Sequence, residues 1–448
     1  MRRRIGTALA SGLLMWAVVL APGVASAAVS MLPATTPQLG TSGTDGTIEQ
    51  VRQFAQCGGT MYAVGLFSQV KNGNSTALIP RNNAFAFSAT SPYKVTSWDP
   101  NVNGQVNSVA CSPDGKILLG GTFTQVNGTT TAKNLVKVDA TTGAVDPTFL
   151  WTLNGKNSPA GAVSHIEVVQ NHLLVGGKFT PSGSTVAYPG YLASVSPLTG
   201  RSDGYALPTL TGSYVYSGAR TNTTQVFNMT VSPDGTSVLV TGVFTSVGGV
   251  HHEQVFRLNM GTTSATASAW SPSELYTHCA GVEPFYAQDV AWSPDGTKIY
   301  VANTGYKPYD QPWGNTPRIG PCDSAIAYDA EPQVEFSGHD WIAYTGCDSL
   351  YSIGADATTV YVAGHERWID NPNACDNLGS GGRAQPGLGE LDPAAGHSVP
   401  GPNRGRGLGA DDVVVTTAGV WIASDNQTNT DTCSGKHGHM GICFLPYA

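Results

Sequence analysis

A short apolar phrase ending in a small residue returns seven times along this chain, and that repeat limits the fold more than any other feature. It reads "YAVGLFSQV" at Tyr62, "LLGGTFTQV" at Leu118, "LLVGGKFTP" at Leu173 and "LVTGVFTSV" at Leu239. It then weakens to "IYVANTGY" at Ile299, "VYVAGHERW" at Val360 and "VWIASDNQ" at Val420. Aligned on Gly65, Gly121, Gly177, Gly242, Asn303, Gly364 and Ser424, the steps are 56, 56, 65, 61, 61 and 60 residues. Such a period marks supersecondary units that bury their apolar faces only against one another.

Each unit shares one grammar. A short apolar strand such as "VNSVAC" or "FNMTVS" comes first, and in three units an "SPDG" turn follows. Proline presets φ there and glycine accepts positive φ. The glycine-bearing strand is next, then "NLVKVDATTGAVD", a strand closed by a Thr-Gly turn, and a short fourth strand such as "PTFLW". Four antiparallel strands repeated radially make a β-propeller. The expected fold is therefore all-β: a seven-bladed β-propeller with four-stranded blades over 46–448. Inner strands covered on both faces read as continuous apolar runs, as "KILLGG" and "HLLVGG" do. The paired glycines are expected to let neighbouring blades approach.

The span 116–149, "KILLGGTFTQVNGTTTAKNLVKVDATTGAVDPTF", resembles the delta-60 type repeats of secreted bacterial β-propeller proteins. The run "GCDSLYSIGADATTVYVAGHERWIDNPNACDN" looks like the ending of uncharacterised exported propellers of actinobacteria. The resemblance implies a propeller and no particular activity, since the fold hosts many functions.

The chain begins with Arg2, Arg3 and Arg4, an apolar run and the small-residue site "ASA" at 25–27, which read together as a signal peptide over 1–27. General secretory and twin-arginine export both remain open. Removing 27 residues and three arginines takes the formal charge from −8 to −11. An acidic chain of this kind is a poor partner for nucleic acid, and no later apolar run is long enough for membrane insertion. A secreted, extracellular protein is expected. Segment 28–45 is a candidate ring-closing outer strand, with Pro33 and Pro37 restricting it to an edge.

Eight cysteines in an exported chain read as disulfides. In a propeller, loops after second and fourth strands share one face. The long stretches 304–322, 365–386 and 425–441 follow second strands in this reading, and 209–225, 271–287 and 337–347 follow fourth strands. Placing the cysteines on that scheme pairs Cys279 with Cys322, Cys347 with Cys375, and Cys433 with Cys443 on the long-loop face. Cys57 and Cys111 pair on the opposite one. No cysteine or histidine spacing fits a metal site, and no cofactor is expected. "DNQTNTDTC" at Asp425 offers at most weak Ca²⁺ binding.

Structureless loops of this length are uncommon unless they work. These carry aromatic and hydrogen-bonding side chains: Tyr306, Tyr309, Asp310, Trp313, His339, Trp341, His365, Arg367 and Trp368. Planar rings beside Asp, His and Arg suit a polyol or sugar, so the leading expectation is a lectin-like module for a glycan or cell-envelope ligand. A scaffold for another secreted protein is one alternative. An extracellular hydrolase or lyase at the central mouth is the other, with His365 as acid or base and Arg367 clamping an anion beside Glu366. Against an enzyme, no G-x-S-x-G or H-E-x-x-H motif occurs, and "HHEQ" at His251 lacks the second histidine spacing. No catalytic residue is assigned.

Overall fold

The computed structural model describes residues 28–40, 48–153, 156–157, 161–179, 191–215, 221–276, 286–305, 321–331, 334–405, 409–425 and 432–448. The expected signal peptide lies outside them. Within them the chain is all-β and propeller-like, with one 3-10 turn at Ser273–Tyr276.

The sheets form for the reason the repeat implies. A first strand (Gln50–Cys57, Val106–Cys111, Gly161–Val169, Gln225–Val231, Ala287–Trp292, Leu350–Ala355 and Ala410–Thr416 in turn) pairs antiparallel with the phrase-bearing second strand. The second pairs antiparallel with a third. Second strands such as Ile117–Gly121 and Ser237–Val243 are buried at every residue. Both faces of each sheet are apolar, so each must be covered on both sides.

They are covered by one another. Seven apolar clusters sit between consecutive sheets, and one of them joins the last sheet to the first. In that closing cluster Trp421 stacks on Phe444 with centroids 4.1 Å apart and meets Phe54, Phe87 and Tyr93. First strands touch in sequence order, and the seventh lies beside the first. The N-terminal segment crosses the same seam. Val29 bridges Tyr447, the Ala34 N–H donates to Phe444 O at 2.9 Å, and Gln38–Leu39 pairs with Gln69–Lys71.

The outer position differs from expectation. Among the described residues two sheets carry a fourth strand, Ala265–Ala267 and Trp341–Tyr344. In the others a single bridge holds that place, for instance Val145 to Val138. "PTFLW" is no strand. Phe149 and Trp151 turn inward and pack between two sheets. Trp341–Tyr344 also corrects the reading of 337–347 as a loop, because its first half is the turn into a fourth strand.

The paired glycines do two jobs. A Cβ on Gly120 would lie 2.7 Å from Val163 of the next sheet, and one on Gly176 2.5 Å from Val226, as expected of neighbours that approach closely. The second glycine faces its own sheet: a Cβ on Gly121 would stand 2.2 Å from Gln105 O, and on Gly177 2.2 Å from Ala162 O. Those carbonyls lie at a β-bulge found at the same place in all seven first strands. A bulge pushes backbone out of the ladder, and in five of the seven sheets a glycine stands opposite it, with Asn303 and Ser424 in the other two. Gly121→Ala is therefore expected to cost about 3 kcal/mol. Gly59→Ala, with nothing within 4 Å of its Cβ, should change stability by less than about 0.5 kcal/mol in the same denaturant titration.

Candidate functional site

Antiparallel pairing assigns each connection to one of two ends. Second strands finish, and first strands start, at the same end. The short ribbons Gln69–Lys71/Ile79–Pro80, Ser246–Val247/Val250–His251, Trp368–Ile369/Arg383–Ala384 and Thr432–Cys433/Lys436–His437 all lie between a second and a third strand, so they stand at that end. Ribbons Thr152–Leu153/Lys156–Asn157 and Tyr214–Val215/Thr221–Asn222 join consecutive sheets there too. The other end carries the tight turns between first and second strands.

Three disulfides are formed among the described residues. Cys347–Cys375 and Cys433–Cys443 brace the loop end, and Cys57–Cys111 links two first strands at the tight-turn end. Cys322 is also disulfide-bonded, and its expected partner Cys279 lies outside the described residues.

The loop following Val360–Gly364 shows how such a long connection is held. Arg367 donates from Nε and Nη2 to both oxygens of buried Asp348, at 2.7 and 2.8 Å, and from Nη2 to Asp376 at 2.6 Å. Two parallel charge-assisted bonds to one carboxylate are the strongest geometry an arginine makes. Asp348 follows Cys347 and Asp376 follows Cys375, so the ion pairs and the disulfide join the same two stretches of chain. Inside the loop, fully buried Asn371 donates to Asn377 O at 3.0 Å and accepts from the Gly379 N–H at 2.7 Å. In the last sheet, buried Arg404 reaches across to Ser424 Oγ, Thr432 O and His439 O. Burial beside Arg404 pushes His439 down to about 4, which keeps it neutral.

The sequence-derived candidates disperse. Arg367 is spent on two carboxylates and lies 4.2 Å above the Trp368 ring, so it holds the loop instead of clamping an anion. Glu366 is fully buried, which removes it from a surface triad with His365. His365 itself stays half-buried at the strand end, its N–H bonded to Ser349 O. Trp341 is core: it stacks on Tyr300 at 5.8 Å and donates its indole N–H to Pro393 O. His339 lies in the turn before that strand, at the opposite end, paired with Glu274 at 2.9 Å. Tyr306, Tyr309, Asp310 and Trp313 lie outside the described residues, as does most of the "DNQTNTDTC" loop. Among the described residues no group of three or more His, Cys, Asp or Glu could hold a metal, and no helix is long and apolar enough to cross a membrane.

A second feature was missed by sequence reasoning. The residue just after the bulge is polar in every first strand: Gln53, Ser108, His165, Asn228, Asp289, Ser352 and Asp412. Four of them accept from the backbone of the next first strand. Gln53 takes the Val109 N–H at 2.7 Å, Ser108 the Ile166 N–H at 3.0 Å, Asp289 the Ile353 N–H at 2.9 Å and Asp412 the Phe54 N–H at 2.8 Å. Asn228 donates to Asp289 at 2.6 Å, and Gln53 reaches His165 Nδ1 at 3.4 Å. The signal was present: a polar residue 12 to 14 positions before each aligned small residue.

This belt spans a central cavity of about 560 Å³ lined by all seven first strands. Two positions beyond the belt comes a ring of Ala55, Ala110, Glu167, Thr230, Ala291, Gly354 and Val414. Burial shifts the acids here upward: Glu167 to about 8, Asp289 to about 6, Asp412 well above the carboxylate range. Burial moves His165 down to about 4, leaving it a neutral acceptor for Gln53.

A β-propeller domain of unknown function, DUF5122, matches residues 112–149, which lie within one repeat of this chain. No curated protein matches the sequence. Solved structures similar in fold include the WD40 β-propeller domain of Doa1, at 10% identity over 92% of this chain and 96% of that one, TM-score 0.37. U3-55K is similar at 9% identity over 95% and 100%, TM-score 0.43. Hydrazine synthase of Kuenenia stuttgartiensis is similar at 14% identity over 82% and 89%, TM-score 0.43.

Two outcomes follow. With Cys347→Ser/Cys375→Ser, the 365–386 loop should resist limited proteolysis until Arg367→Gln is added, when cleavage accelerates about tenfold. For Glu167, the folded chain between the ordinary carboxylate range and about 8 keeps a proton that the unfolded chain has released. Raising pH through that window thus lowers stability in the wild type and not in Glu167→Gln. Urea titrations at pH 5, 7 and 9 should show the variant gaining on the wild type as pH rises.

Proposed function

We propose that this chain is a secreted interaction module: a seven-bladed propeller, with four strand positions per blade and the N-terminal segment filling the last, that engages an extracellular protein through its loop end. The observation that supports this reading is the asymmetry between the ends. The accessory ribbons, two loop disulfides and the Arg367 and Arg404 networks stand at one end, while the first-to-second turns at the other are short. Ordering long loops before contact removes an entropic cost that binding would otherwise carry. Disulfides fit an oxidising, extracellular setting.

Within the described loop surface the groups on offer favour a protein over a glycan. Trp341 and His339 have left the sugar-binding set. Leu378, 49% exposed, projects from the braced 365–386 loop near exposed Asn377 and Arg383. An apolar side chain on a rigid, polar-rimmed loop is the anchor arrangement of protein interfaces. A carbohydrate reading now rests on Trp368 and on residues outside the described set.

The test compares mature chain 28–448 with Leu378→Asp/Arg383→Glu and with Trp368→Ala. Each is assayed for capture of proteins from culture supernatant and on a cell-wall glycan array. Loss of a specific protein partner by at least tenfold in the double variant, with melting unchanged, is the expected result. Selective glycan binding that depends on Trp368 would replace the protein reading with the lectin-like one. Capture indifferent to all three substitutions would overturn the loop end as the binding surface.

A further inference from the structure

The lining of the central cavity runs from the polar belt toward the tight-turn end. Its wall continues from the belt through the ring of small residues to Val231, Pro233, Trp292, Pro294 and Val415 near the turns. Five of the seven ring positions are Ala, Gly or Val and one is Thr230, so side chains leave the middle of the channel open. Glu167 is the exception. It is the single ionisable group in that ring, it accepts from the Val168 N–H, and no cation beside it contributes to its shift. Among the described residues no Lys or Arg lines the cavity, and the other titratable groups facing it are His165, Asp289 and Asp412.

These four groups are not equivalent. Asp412 accepts the Phe54 N–H, and Asp289 accepts from Asn228, Val290 and Ile353, so both are engaged in holding first strands together. His165 is neutral and bonded to Gln53. Glu167 alone has no structural task across a strand junction. With no cation beside it Glu167 keeps its proton up to about 8, and a cation placed against it would favour the carboxylate form. The cavity volume falls in the range that takes a small organic molecule.

We propose that this channel is a binding site for a small organic ammonium ion with an apolar tail, the ammonium held by Glu167 and the tail lying along Ala110, Ala291, Val231 and Trp292. The chemistry follows from the wall. A cation meets only negative or neutral groups there, three ammonium donors suit a carboxylate with free lone pairs, and the neck contacts an apolar body. The site is independent of the loop-end reading.

The experiment uses mature chain 28–448 and calorimetric titration at pH 8 with 2-phenylethylamine, against 2-phenylethanol as the neutral probe of the same shape. Wild type is expected to bind the amine at least tenfold more tightly than the alcohol. Glu167→Gln, with melting checked, should bind the two alike. Leu378→Asp/Arg383→Glu should leave amine binding unchanged, so failure here and failure of the loop-end reading are separable. Equal affinity for amine and alcohol in the wild type overturns the proposal. So does an amine preference that survives Glu167→Gln, or no amine binding at all. The amine–alcohol comparison on wild type decides the matter even if the variant folds poorly.

Discussion

A sheet with two apolar faces must be covered on both, and everything else in this molecule depends on that requirement. Seven such sheets satisfy it by packing in order, each cluster of buried side chains lying between one sheet and the next. The order must close, because an end sheet would leave one face in water. Closure falls on the most aromatic cluster, where Trp421 and Phe444 stack among Phe54, Phe87 and Tyr93. Asp412 bonds the Phe54 N–H across the same seam, and the N-terminal segment runs over it. Because this is where the two ends of the chain meet, apolar, polar and backbone contacts coincide on it.

The shared β-bulge is the second organising device. It adds one residue to each first strand and so sharpens local twist. It favours glycine on the second strand opposite, with Asn303 and Ser424 as the exceptions. It also aims the next residue at the axis, which is why that position is polar in all seven sheets. Four of those side chains cap backbone N–H groups of the next first strand, and unpaired buried donors are expensive. One irregularity therefore sets both the glycine pattern and the polar belt that crosses the cavity.

The two ends of the ring show different economies of structure. At the loop end, order comes from specific polar contacts: Arg367 between two carboxylates, Asn371 within its own loop, Arg404 on two carbonyls and a hydroxyl, with disulfides beside them. At the other end short turns suffice, and Cys57–Cys111 ties adjacent first strands. Arg367, which looks reactive in the sequence, is consumed in this bracing. What faces solvent is the ordered loop, and what faces the cavity is Glu167.

How much of this was legible follows the same physics. The repeat, the all-β class and the cysteine partners Cys57 with Cys111, Cys347 with Cys375 and Cys433 with Cys443 could be read from spacing, because hydrophobic periodicity and connection order are local properties of a chain. The dual role of the glycines could not, since Gln105 O and Val163 approach Gly121 and Gly120 only once strands are paired and sheets are stacked. Trp341 and Arg367 were misread for a related reason: an aromatic or a cation has the same letter whether it meets a ligand, Tyr300 or Asp348. The sequence by itself determined that repeated strands with two apolar faces must cover one another. Tertiary structure decided which polar side chains that packing would consume and which it would leave facing open space, because hydrogen bonding across sheets depends on distances that no local pattern encodes.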